Sequence, residues 1–108
     1  MADINLDLMT LRNANVRRCA EVYQPLDEWD LSDYAAMMAG ECGEACNEIK
    51  KMRRGHRLHK HLDSLADELA DTVVAVDLLA ARAGINLAAA IRDKFNRKSE
   101  EKDSSIKL

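Results

Sequence analysis

Four carboxylates at a regular spacing are the part of this sequence best suited to chemistry. Glu41 and Glu44 lie three residues apart, and so do Glu68 and Asp71. On a helix this spacing places both members of a pair on one side, with Cβ atoms roughly 5–6 Å apart, so that their charges repel unless a cation compensates them. Mg²⁺ suits four carboxylates best when waters and phosphate oxygens complete its octahedron. The alternative is that all four are ordinary solvated surface acids.

Charge is unevenly distributed around these residues. The segment from Cys19 to Ile49 is acidic and has no Lys or Arg, whereas the segment from Lys50 to His61 is basic. A metal site that binds phosphate can use this arrangement, but two solvated surfaces give the same pattern. We favour a solvated helix end for the basic segment, with phosphate contact by at least one of four cations as the alternative: Lys50, Lys51, Arg53 or Arg54. The net charge of −3 argues against a general nucleic-acid binder.

The elements that position these residues are predicted to be helices, because one proline and four glycines are too few for a fold with many turns. We predict four helices in a single domain that spans residues 1–108, with 102–108 as a tail that is loose or packs on a partner. Ser32 is the predicted N-cap of the second helix and Asn86 that of the fourth, while Gly55 and Gly84 end the second and third. The predicted helices run from about Asn5 to Tyr23, Ser32 to Arg54, Leu62 to Ala83 and Asn86 to Glu101.

The apolar pattern of the second and third helices predicts how they pack. The third helix is apolar on nearly every side between Val73 and Ala81, so it must be covered from more than one direction. A chain of 108 residues has few other elements to cover it, which predicts a second subunit. Val74 and Leu78 lie off the main stripe and are the predicted interface residues. The main stripe of the third helix consists of Leu62, Leu65, Leu69, Val73, Val76 and Ala80; that of the second includes Leu31, Tyr34, Met38, Cys42, Ala45, Cys46 and Ile49.

The cysteines indicate the cellular compartment of the protein more than they indicate a functional site. Three cysteines and no apolar N-terminal run predict a reduced, cytoplasmic protein. No segment has the roughly 20 apolar residues that span a bilayer, so no membrane partner is expected. Zinc binding by Cys42 and Cys46 with His56, His59 and His61 is an alternative, but the spacings fit no standard structural site. Both cysteines project onto the predicted apolar side, where thiols are usually buried.

The carboxylate pairs and their surroundings resemble a known family. The segments Glu41-Cys-Gly-Glu44-Ala-Cys-Asn47-Glu-Ile-Lys50-Lys51 and Asp67-Glu68-Leu-Ala-Asp71 are similar to the paired motifs of the MazG-like all-alpha nucleoside triphosphate pyrophosphohydrolases. The segment from Lys94 to Glu100 also resembles the end of small single-domain members. The resemblance covers about residues 29–101, and the order and separation of the motifs make it specific.

The resemblance implies an all-α, four-helix-type bundle that is completed by oligomerisation into a homodimer or homotetramer. It also implies magnesium-dependent hydrolysis, with manganese as a possible substitute, of nucleoside triphosphates to a monophosphate and pyrophosphate. Deoxynucleoside triphosphates in nucleotide pool cleaning are the implied substrates. The implied metal ligands and catalytic residues are Glu41, Glu44, Glu68 and Asp71, and the implied substrate-binding residues are Asn47, Lys50, Lys94 and Asn96.

Several alternatives stay open at this point. One of the four carboxylates, or Glu48, could take the proton of the attacking water. Asp77 lies in an apolar run, so we expect a hydrogen bond or ion pair at a subunit interface, or else contact with a nucleotide bound to the neighbouring subunit. A non-catalytic helical module that binds nucleotide or protein, and a purely structural helical oligomer, are the rival functions. The four intact carboxylates favour the enzyme.

Overall fold

The computed structural model describes residues 4–55 and 58–108, with side chains outside residues 58–60. The described residues form four helices and no strands, which confirms the all-α prediction. A short 3-10 turn, Leu26–Glu28, separates the first two helices. The helices are α1 (Leu8–Val22), α2 (Leu31–Arg53), α3 (Leu58–Arg82) and α4 (Leu87–Glu101).

The helix ends follow from local capping, and one predicted cap is wrong. Asp30, not Ser32, caps α2: its carboxylate accepts from the Asp33 amide at 3.0 Å, while the Asp33 carboxylate accepts from the Asp30 amide at 3.0 Å. This reciprocal capping box satisfies two backbone donors, whereas a cap at Ser32 would satisfy only one. Asn86 caps α4 as predicted. Gly55 (φ 83°) and Gly84 (φ 72°) adopt the left-handed conformation that follows a helix end.

The helices α2 and α3 form an antiparallel hairpin that is the main packing unit of the chain. The helix α1 packs across α3, and α4 touches α1 and α3. No Cα atom of α4 lies within 8 Å of α2 in the described part of the chain. Cys19, Tyr34 and Leu78 form the centre of the core, and four partly buried residues surround them: Leu26, Trp29, Met37 and Leu79.

The prediction of Leu78 as an interface residue was wrong, whereas that of Val74 stays a prediction. Leu78 is only 7% exposed and packs inside the chain against Cys19 and Tyr34, and Val74 is half-buried. The physical reason is that α1 covers this side of α3. Part of the main apolar stripe is left uncovered instead, where Leu69 is 52% and Val73 49% exposed, although Ala80 of the same stripe is buried.

The orientation of α2 also differs from the prediction. Tyr34, Ala45 and Glu48 are its buried residues, whereas Cys42 and Cys46 are exposed. The helix therefore turns the side that carries Glu41 and Glu48 toward α3. Buried thiols were the wrong expectation for the single chain, because acidic side chains occupy the inter-helix side that apolar residues were expected to fill.

Asp77 has its partners within the chain. Its side chain is fully buried, Arg12 Nε lies 2.9 Å from Oδ1, and Asn15 Nδ2 lies 3.1 Å from Oδ2. The predicted ion pair and hydrogen bond therefore exist, but their placement at a subunit interface is wrong. They join α1 to α3.

The C-terminal segment folds back along α4. The Leu108 amide donates to Asn96 Oδ1 at 2.8 Å, Asn96 Nδ2 donates to the Leu108 carbonyl at 3.3 Å, and Lys107 Nζ donates to the Asn96 carbonyl at 3.2 Å. No single described helix is long and apolar enough to cross a membrane; the pair formed by His61–Arg82 and α4 meets that criterion together, with a bend of 104° between its members.

Candidate active site

Packing of α2 against α3 brings carboxylates from the two helices together. Glu41, Glu44 and Glu68 each offer an oxygen, and these oxygens all lie within 4.8 Å of one another. The i, i+3 spacing aligns the pair on α2, and the antiparallel hairpin adds Glu68 from the facing helix. Asp71 is exposed three residues beyond Glu68, and its charge acts on both Glu41 and Glu68. All four predicted carboxylates thus belong to one electrostatic cluster.

Mutual repulsion makes the carboxylates of this cluster hard to ionise together. The pKa of Glu68 is raised to about 7, first by a hydrogen bond with Glu44, then by burial and by the charges of Glu44, Glu41 and Asp71. Burial raises the pKa of Glu41 as well, and Glu44 and Asp71 add to the effect. A compensating positive charge would relieve all of these interactions.

Two oxygens of the cluster show what kind of group would fit. Glu41 Oε2 and Glu68 Oε2 are shielded from solvent and have no hydrogen-bond partner among the described residues. A shielded carboxylate oxygen without a partner is unfavourable. A donor set made only of carboxylate oxygens suits a hard divalent cation such as Mg²⁺ or Mn²⁺. The cluster therefore fits the predicted metal.

The cluster opens into a cavity of about 330 Å³ between α1, α2, α3 and the segment that joins α1 to α2. This volume is at the lower end of the range for small-molecule sites. Glu41 and Asp71 line the cavity on the side of the cluster. The remaining wall is formed by Asn15, Arg18, Cys19, Tyr23, Gln24, Trp29, Met37, Val74, Ala75 and Leu78.

Hydrogen bonds fix the wall around Trp29. Arg82 Nε donates to the Trp29 carbonyl at 2.7 Å, and the Trp29 ring lies 5.3 Å from that of Tyr34. The Tyr34 hydroxyl donates to the Leu26 carbonyl at 2.8 Å and accepts from Gln24 Nε2 at 3.3 Å. Burial raises the pKa of Tyr34, so its hydroxyl stays neutral. The aromatic wall is thus preorganised in the free protein.

The sequence did not identify the α1 residues of this cavity. Asn15 and Arg18 belong to no recognised motif, because the cavity exists only once four elements have packed. The sequence contained one signal for these residues. A buried Asp77 requires hydrogen-bond donors, and Arg12 and Asn15 share one side of α1 at the i, i+3 spacing, where both can donate to it.

The four predicted substrate-binding residues lie outside this cavity lining. Asn47 and Lys50 are exposed on α2 beyond the cluster, and Lys94 is exposed on α4. Asn96 is hydrogen-bonded to the C-terminal segment. In the described part of the chain, no Cα atom of α4 lies within 8 Å of α2, the helix that carries Glu41 and Glu44. Their roles remain predictions.

Glu48 is held by Lys51 and His61. Lys51 Nζ lies 3.1 Å and His61 Nδ1 2.9 Å from its two oxygens, and these hydrogen bonds, that of His61 first, lower its pKa. A lowered pKa makes Glu48 a weaker base than its neighbours, which favours a structural role. In the predicted basic segment, His56 and Arg57 and the side chains of His59 and Lys60 lie outside the described residues, so the zinc alternative is not tested there.

A comparison with protein families identifies the chain. The model of the MazG nucleotide pyrophosphohydrolase domain matches residues 30–105, a range that contains both carboxylate pairs and the α2 and α3 residues that line the cavity. A search of curated proteins found no match. Since the family match covers most of the 108 residues, the chain belongs to the MazG nucleotide pyrophosphohydrolase family.

Proposed function

We propose that this protein is a magnesium-dependent nucleoside triphosphate pyrophosphohydrolase that converts deoxynucleoside triphosphates into the monophosphate and pyrophosphate. The observation that carries the proposal is the convergence of the Glu41, Glu44 and Glu68 oxygens within 4.8 Å beside a cavity of nucleoside-compatible size. Family membership supports the reaction class. The preference for deoxynucleotides, and a role in cleaning the nucleotide pool, rest on the family resemblance.

Different residues of the site would contact the phosphates and the nucleoside of the substrate. Glu41, Glu44, Glu68 and Asp71 would hold Mg²⁺, which when bound neutralises phosphate oxygens and lowers the pKa of a coordinated water. Water attacks at the α–β anhydride, the P–O bond breaks, and one carboxylate of the cluster takes the proton. Arg18 lines the cavity and offers a positive charge to the phosphates. Trp29 offers a flat apolar face to the base.

The test is a pyrophosphate-release assay over the common ribo- and deoxynucleoside triphosphates, with millimolar Mg²⁺ or with a chelator. We expect equal amounts of monophosphate and pyrophosphate, only when Mg²⁺ is present. Nucleotide binding without turnover would instead identify a non-catalytic binding module. Release of single phosphates would contradict the proposed bond cleavage.

The stability of the metal-free protein should fall as pH rises, because of Glu68. Its pKa is about 7 in the folded chain against 4.5 in the reference state, so between these values the folded state binds more protons than the unfolded state. This contribution favours folding below pH 4.5 and is lost as pH rises through about 7. Mg²⁺ binds the ionised cluster and should reverse the trend by mass action.

Thermal melts at pH 5 and pH 8, with a chelator or with millimolar Mg²⁺, check this expectation. Glu68→Gln should raise the metal-free melting temperature at pH 8 or leave it unchanged. Glu48→Gln is the matched control, and it should lower the metal-free melting temperature. The pKa of Glu48 is lowered, so its charged form stabilises the fold above pH 4.5. A clear loss of metal-free stability in Glu68→Gln would show that Glu68 is a structural hydrogen-bond partner.

We also propose that the protein is a homodimer or homotetramer, since the uncovered stripe of α3 includes Leu69 and Val73. Burying a Leu or Val contributes roughly 1.5–3 kcal/mol relative to leaving it exposed. Replacing both residues with Glu should therefore give a monomer by light scattering at micromolar concentration. Glu at the exposed positions Ala83 and Ala88 is the control. A wild-type protein that is already monomeric would refute the proposal.

A further inference from the structure

The side chain of Asn15 has a fixed orientation in the cavity wall. The residue is 3% exposed and lines the cavity. Its Nδ2 donates to the Val74 carbonyl at 3.0 Å and to Asp77 Oδ2 at 3.1 Å. Arg12 Nε donates to the other oxygen of Asp77 at 2.9 Å, so both oxygens of that carboxylate act as acceptors. Turning the Asn15 amide over would break both hydrogen bonds and place two oxygens against Oδ1.

This orientation leaves Asn15 Oδ1 without a donor among the described residues. Asn15 Oδ1 is not one of the fully shielded oxygens without a partner, which among the described residues belong to Glu41 and Glu68. Because Asn15 lines the cavity, we place this partly accessible oxygen at the cavity wall. An amide oxygen that is nearly buried and accepts no hydrogen bond is unfavourable in the free protein. A ligand that presents an N–H donor at this position would satisfy it.

Asn15 belongs to α1, and the place where it contacts α3 indicates which part of a nucleotide it meets. Its partners Val74 and Asp77 follow Asp71 by three and six residues, which corresponds to about 4.5–9 Å along the helix axis. With the phosphates at the carboxylates, this is the region of the nucleoside. Trp29 lines the same cavity and can stack on a base whose edge faces Asn15.

We propose that Asn15 Oδ1 accepts a hydrogen bond from the exocyclic amino group of the nucleobase, so that the site selects amino-bearing bases over their oxo counterparts. This inference rests on the proposed function only in assuming that the cavity receives a nucleoside. Cytosine and uracil have nearly the same shape, as do adenine and hypoxanthine. The oxo member of each pair would place a carbonyl oxygen against Asn15 Oδ1, which leaves both acceptors unpaired.

Trp29 is the single tryptophan of the chain and lines the cavity, so its fluorescence reports binding without any need for turnover. Titration of the wild type with dCMP and dUMP, and with dAMP and dIMP, should show at least about tenfold tighter binding of the amino member. Asn15→Leu should abolish this ratio. Asn13→Leu, at an exposed position of the same helix, should keep it.

Asp77→Asn provides a second variant. An amide at position 77 can still accept from Arg12 and then presents its Nδ2 to Asn15, so the Val74 carbonyl alone holds Asn15 in the orientation that leaves Oδ1 free. The preference for amino-bearing bases should therefore weaken in this variant. If either variant fails to fold by circular dichroism, the wild-type ratios still decide the inference.

Equal binding within both wild-type pairs, a preference for the oxo bases, or dependence on a sugar hydroxyl alone would each overturn the inference. Amino-base preference without pyrophosphate release would reject the proposed hydrolysis and retain the role of Asn15. Pyrophosphate release without any amino-base preference would reject the role of Asn15 alone.

Discussion

Replacing Glu41 or Glu68 with Gln is expected to reduce the rate of pyrophosphate release by at least about a hundredfold while the helical content stays unchanged. Loss of a residue that merely supports a metal ligand typically costs 10–100-fold in metal affinity or activity, so loss of a ligand itself should cost no less. The same expectation holds for Glu44→Gln and Asp71→Asn. Circular dichroism and steady-state assays at saturating Mg²⁺ provide the measurement.

The matched control is Asp67→Asn. Asp67 is exposed on α3 directly before Glu68, so its substitution removes the same charge beside the cluster without removing a candidate ligand. Turnover of this variant should stay near that of the wild type. Near-normal turnover in two of the four cluster variants would refute the assignment of the site.

The parts of the fold that depend on local physics could be predicted from the sequence. Asn86 caps α4, and Gly55 and Gly84 stop the helices before them, because capping and the left-handed conformation are decided by a few neighbouring residues. The two carboxylate pairs are aligned by helical spacing alone. Once α2 and α3 pack as an antiparallel hairpin, Glu68 faces Glu41 and Glu44.

The side of α2 that faces α3 could not be predicted from apolar periodicity. In the folded chain, Glu41 and Glu48 are turned toward α3, while Leu31 and Ile49 are 49% and 45% exposed. In a single chain, burial of apolar side chains would favour Leu31 and Ile49 facing α3 and the two glutamates facing solvent. The observed arrangement would become favourable if the proposed cation occupied the cluster and the proposed second subunit covered the exposed apolar side. Neither contribution is part of a one-chain hydrophobic pattern.

The contacts between α1 and α3 were also beyond sequence reasoning, because they join residues about 60 positions apart. The need of Asp77 for a partner was evident, but the choice of Arg12 and Asn15 depends on how α1 crosses α3. This crossing also forms the cavity wall. The same contacts therefore hold the fold together and shape the proposed nucleoside site.

Arg12→Leu is accordingly expected to be the most destabilising substitution outside the apolar core. It leaves the carboxylate of Asp77, whose side chain is 1% exposed, without its cation. Removing one partner of a buried ion pair typically costs about 3–5 kcal/mol, a large share of the 5–15 kcal/mol that stabilises a typical domain. Because Asn15 still donates to Asp77, we expect the lower end of this range in urea unfolding.

The double variant Arg12→Leu with Asp77→Leu separates loss of packing from the unpaired charge. It removes both charges, so much of the lost stability should return, as happens when buried ion pairs are replaced by apolar residues of similar volume. Arg17→Leu, at an exposed position on α1, is the control and should change the free energy of unfolding by no more than about 0.5 kcal/mol. If Arg12→Leu behaves like Arg17→Leu, the ion pair does not hold α1 on α3. The orientation of Asn15 would then depend on its own hydrogen bonds to Val74 and Asp77, and the base preference should survive in Arg12→Leu.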